Sequence, residues 1–85
     1  MNLNNVNSVE ELMIEWRALG YDVECIAVRA GVDTVYYIGV DDDKCSYSLS
    51  NALFALSEKL QCNIMYHVEY PDKFAEVRKE VIQIG

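Results

Sequence analysis

Between Ser8 and Gly20 the chain carries the local signals of one amphipathic helix, and that helix constrains the architecture of the whole molecule. Ser8 and Glu11 form an S-x-x-E capping box, and Glu10 and Glu11 fall in the first turn, where the helix macrodipole favours anions. Gly20 offers a left-handed stop. Val9, Leu12, Met13, Trp16 and Leu19 recur at helical spacing on one face. A helix with one apolar face must lay it on another element. Trp16, at the centre of that face, is therefore expected beneath a sheet.

The rest of the chain supplies the sheet. Residues 22–30 and 34–40 are β-branched and aromatic and read as an antiparallel hairpin around Gly31-Val32-Asp33. Asp41-Asp42-Asp43-Lys44 reads as the next turn, and Cys45-Ser46-Tyr47 as a short third strand. A second helix is expected from about Ser50, on the stripe Leu49, Leu53, Leu56 and Leu60. Residues 63–70 read as a strand with Ile64, Tyr66, Val68 and Tyr70 on one face. In the tail, Phe74, Val77, Val81 and Ile84 share a helical face behind Pro71, and propensity favours a helix over a type I turn and returning strand. The order is α-β-β-(β)-α-β-α, an α+β fold with a mixed or antiparallel sheet packed on helices.

Eighty-five residues make one domain, expected over 8–85 behind a flexible Asn-rich leader at 1–7. Hydrophobic residues make up 52%, which is globular composition, but so short a chain has a net stability on the order of 3–5 kcal/mol. Tyr36 and Tyr37 are adjacent in a strand and so point to opposite sheet faces. The apolar residues of 23–28 and 34–40 do not alternate cleanly, so either helices cover both faces or one face stays open to bind something. The six tyrosines fit either a core or an interface.

All of the net charge lies in the first half. Residues 1–43 hold nine acids and two bases, whereas 44–85 hold five of each, and the whole chain carries -7. A one-signed field attracts basic protein surfaces and repels nucleic acid. The bases that duplex or single-strand binding requires are lacking, so direct nucleic-acid binding is not expected.

Chemical signatures are weak throughout. Reading Asp41 as the first position of a Ca²⁺ loop puts Ser46 where glycine is needed and Ala52 where glutamate is needed, so Asp41, Asp42 and Asp43 read as a solvated acidic turn. Cys25, Cys45, Cys62 and His67 lack the short paired spacing of a zinc knuckle. Three well-separated cysteines read as free, mostly core thiols of a reducing cytosol. Cys62 and His67 would make a nucleophile and base only if the fold joined them. Ser46, Ser48 and Ser50 have no glycine-rich elbow, and the four scattered glycines form no phosphate loop. The start of the chain has no basic and apolar signal pattern, and no apolar run approaches the ~20 residues of a membrane span. No cofactor or metal is expected.

Ile14 and Phe54 fall off the apolar stripes of their helices and are candidate contacts. The function expected is that of a non-enzymatic, cytoplasmic interaction module, a regulator or inhibitor. It would meet a basic partner protein through Asp41, Asp42, Asp43, Glu10, Glu11 and Phe54. Three alternatives stand beside it. One is a DNA-mimic inhibitor of a nucleic-acid enzyme, of the kind used in phage–host conflict. Another is a small ligand-binding or enzymatic fold using His67 with Cys62 or Tyr66. The third is a structural homo-oligomer, such as a homodimer.

Overall fold

The structure, a computed structural model, describes residues 3–41 and 43–84, apart from the side chains of 43 and 81–84. Its order is α1 (Val9–Ala18), β1 (Glu24–Ala30), β2 (Asp33–Gly39), α2 (Asp43–Leu60), β3 (Met65–Glu69) and α3 (Pro71–Ile84). The sheet runs β1-β2-β3 and is mixed, with β1 antiparallel to β2 and β3 parallel to it. The class is α+β. A parallel neighbour needs a crossover, and α2 provides it between β2 and β3.

The first helix obeys its local signals closely. The Ser8 side chain accepts from the Glu11 amide at 3.1 Å, while the Glu11 carboxylate accepts from the Asn7 amide at 2.7 Å. The box therefore closes one residue before the cap. At the other end Gly20 takes φ +97°, the Tyr21 amide donates to the Trp16 carbonyl, and the Gly20 amide donates to that of Arg17. These two bonds make a Schellman motif, and the Tyr21 ring seals it against Trp16 with ring centroids 4.7 Å apart.

The hairpin is tighter than expected. Ala30 pairs with Asp33, leaving a two-residue loop of Gly31 and Val32. Only Gly31 has positive φ, the pattern of a type II′ turn that matches strand twist.

The largest difference lies after β2. Cys45-Ser46-Tyr47 is not a strand, and the second helix begins at Asp43 rather than near Ser50. Cys45 sits four residues before Leu49 and is just as buried, so the apolar stripe runs a turn further towards the N-terminus. The helix ends with a second Schellman pair, Gln61 to Glu58 and Cys62 to Ser57, in which Gln61 takes φ 53° without being glycine.

Leader residues 3–7, expected to fray, are docked. Val6 is fully buried, Leu3 packs on the core, and Lys59 at the end of α2 holds the segment down. The Lys59 ammonium donates to the Leu3, Asn4 and Val6 carbonyls, the last at 2.6 Å, and to the Asn7 side chain.

The main core lies between the sheet and α1 with α2. Val9, Leu12, Met13 and Trp16 meet Ile38, Val40, Leu49, Leu53 and Leu56, and Cys25, Tyr36, Tyr66 and Val68 pack around them. Trp16 is buried as its position on the helix requires. The tail is helical, and α3 takes the opposite sheet face. There the Phe74 ring lies so close over Gly39 that a Cβ would stand 2.8 Å from its nearest ring carbon. Tyr36 and Tyr37 do point to opposite faces: Tyr36 joins the core, and Tyr37 stacks on its register partner His67 at 5.2 Å.

Candidate partner-binding surface

The pairing of Glu24 with Gly39 puts the start of β1 beside the end of β2, and the acids gather there. Asp22, Glu24 and Asp41 line one cleft of about 210 Å³ with Gly39, Val40, Pro71, Phe74, Ala75 and Arg78. Three acidic residues thus share a cleft with apolar ones. Arg78 reaches over from α3 to Glu24 at 3.1 Å, an ion pair more than half exposed on both sides and so worth little by itself.

The acids singled out from the sequence are not all brought together. Asp41 borders the cleft and is exposed. Asp42 and the side chain of Asp43 lie outside the described residues, although the Asp43 backbone opens α2. Glu10 and Glu11 stand at the opposite end, since their neighbours Ser8 and Val9 border the same hollow as Val32, Asp33 and Thr34 of the hairpin. Phe54 is exposed on the outer side of α2, beside a shallow hollow with Ser57, Glu58 and Gln61. Ile14 is exposed as well. Neither Phe54 nor Ile14 reaches the cleft.

Sequence reading missed Asp22, Glu24, Phe74 and Arg78. Asp22 and Glu24 flank buried Val23 and so emerge together, a spacing visible in the sequence. The placement of Phe74 and Arg78 required knowing which face α3 covers.

The groups that would do chemistry are kept apart. His67 faces the α3 side of the sheet beside Tyr37, whereas Tyr66 faces α2 and donates its hydroxyl to the Ser50 carbonyl at 3.3 Å. Cys62 lies beyond the end of α2, in a hollow with Tyr36 and Ile64. It is exposed, against the expectation of a core thiol, because it comes after the Schellman turn rather than lying on the stripe. Cys45 is buried and Cys25 half-buried. Burial, and then the nearby Glu10 carboxylate, push the Cys25 thiol above its ordinary pKa, with Arg17 opposing. Burial, Glu10 and the two nearby cysteines likewise raise the Tyr36 phenol. Both shifts favour the protonated, unreactive forms.

Among the described residues no group of three or more His, Cys, Asp or Glu is placed to hold a metal, and no helix is long and apolar enough to cross a membrane. No protein-family model, curated protein or solved structure matches the chain.

Proposed function

We propose that this protein is a non-enzymatic interaction module, a regulator or inhibitor, that receives a basic side chain of a partner protein in the cleft at the acidic end of its sheet. One observation carries the reading: Asp22, Glu24 and Asp41 line the same opening as Val40, Phe74 and Ala75. An arginine or lysine has the matching form, an apolar stem ending in a charge. Arg78 fills part of this role within the chain, so an incoming cation would compete with it for Glu24. Acids grouped at one point favour a point contact over imitation of a duplex backbone, which needs charges spaced along a track. The net charge of -7 on each copy opposes self-association.

An arginine-rich peptide and its neutral citrulline counterpart test this by titration at low and moderate salt. Asp22→Asn with Asp41→Asn should weaken the arginine peptide about tenfold, ~1.4 kcal/mol, and flatten its salt dependence. Equal affinity for both peptides would refute the reading.

A further inference from the structure

Strand β1 is an edge of the sheet, and among the described residues only β2 pairs with it. The register runs unbroken from Glu24 opposite Gly39 to Ala30 opposite Asp33, so the edge has no bulge. It contains no proline, and its charges, Glu24 and Arg29, stand near its ends. The run Cys25-Ile26-Ala27-Val28 thus lacks the devices that usually keep other chains off a strand edge.

The tight hairpin fixes which backbone groups face outward. A β-turn closes with the carbonyl of its first residue accepting from the amide of its fourth, so Ala30 and Asp33 are a bonded pair. Bonded and non-bonded pairs alternate along an antiparallel ladder. Val28, Ile26 and Glu24 therefore turn their N–H and C=O groups to β2, while Arg29, Ala27 and Cys25 turn theirs away. Those outward groups have no backbone partner among the described residues. The other edge, β3, offers less. The Glu69 carbonyl accepts from Val40, so Glu69, His67 and Met65 face β2 and only Tyr66 and Val68 of that strand face out.

Side chains along β1 add a direction. Glu24 pairs with Arg78 of α3 and so lies on the α3 side, and Ile26 and Val28 follow on that side, both half-buried. Glu24 also lines the acidic cleft with Asp22. One face of the edge therefore runs from the acidic cleft into two apolar side chains.

We infer that β1 accepts an extended segment of the partner protein as a fourth, antiparallel strand, carrying at its C-terminal end the basic residue that enters the acidic cleft. The inference rests on the basic-partner reading and names the backbone form in which the cation arrives. A strand edge selects an extended chain through its main-chain groups, and alternate side chains set the preference. Antiparallel addition is the stronger per residue. It makes the segment read apolar-x-apolar-x-basic, with the apolar residues opposite Val28 and Ile26 and the basic one opposite Glu24. The net charge of -7 on each copy favours a foreign basic strand over a second β1.

The test adds the capped peptide Thr-Val-Thr-Val-Thr-Arg to the whole protein and follows amide hydrogen exchange. At a peptide concentration about ten times Kd, the Cys25, Ala27 and Arg29 amides should exchange about tenfold more slowly. Ile26 and Val28, bonded to β2, should be protected already in the free protein. Methylating the amide nitrogen of the central threonine, opposite Ala27, should weaken binding about tenfold, and methylating that of a valine should cost far less. The reversed peptide, with arginine first, and a citrulline version should each bind about tenfold more weakly. No binding, no slowing at the three outward amides, or equal losses from the two methylations would overturn strand addition and leave the acidic cleft standing. Equal binding of the reversed peptide would overturn the antiparallel placement and the inference with it. Equal binding of the citrulline peptide would overturn the basic-partner reading together with the inference. A free protein that sediments as a dimer with those amides already protected would give the edge to a second copy and also overturn it.

Discussion

Replacing Gly39 by alanine tests the contact that fixes α3 on the sheet. Gly39 lies in central strand β2 at negative φ, so its backbone does not require glycine; the requirement comes from the ring above it. An added Cβ would stand 2.8, 3.0 and 3.2 Å from three ring carbons of Phe74, against the ~3.5–4.0 Å of ordinary carbon contact. The ring, itself buried, must therefore rise by roughly half an ångström to an ångström, taking α3 with it. Overpacking of this kind costs about 1–3 kcal/mol, and replacing glycine inside a strand returns about 0.5–1 kcal/mol. The expected net loss is about 1–2 kcal/mol, a large part of the ~3–5 kcal/mol available to so short a chain. In a Phe74→Leu background the smaller side chain makes room, and Gly39→Ala should become neutral or stabilising. Urea denaturation of the four proteins in this double-mutant cycle measures the coupling, expected at about 1–2 kcal/mol. A Gly39→Ala variant as stable as the parent, or additive with Phe74→Leu, would refute the argument.

Local geometry sets further outcomes. Gln61→Gly should stabilise the fold by about 0.5–1 kcal/mol in thermal or urea unfolding, because it removes a side chain from a left-handed helix stop. A thiol probe at neutral pH should label Cys62 first and leave Cys45 protected until unfolding. Cys25 should label slowly and gain rate more steeply with alkalinity, since its thiolate forms only above the ordinary thiol range. A folded-state pKa raised in this way contributes stability below the unfolded-state pKa that is lost as pH rises through the folded one, so urea midpoints should fall on the alkaline side.

The parts of the fold legible in the sequence are those specified within a few residues. The first helix has its cap, stripe and stop in one contiguous segment, and the helical wheels place Ile14 and Phe54 outside correctly. The start of α2 is not legible in this way, because Cys45 and Tyr47 fit a strand as well as a helix; Cys45 decides for the helix only through its burial with Leu49 against the core. The docked leader is invisible in the sequence because what holds it is a side chain 53 residues away bonding to backbone carbonyls, which have no residue signature. The cleft is only half visible. Asp41 can be read as exposed, but its partnership with Phe74 and Arg78 depends on α3 crossing the far face of the sheet.

The ammonium of Lys59 beneath the leader also sets an order of assembly. Until the end of α2 has formed, Leu3 and Val6 have neither the core nor the cation to hold them, and they remain exposed apolar groups on a chain still being made. The hairpin can close early, since its partners are near neighbours in sequence, but the first few residues must wait for almost the last turn of the second helix. Chain segments around residues 3 and 59, far apart in sequence, should therefore gain protection together and late in refolding.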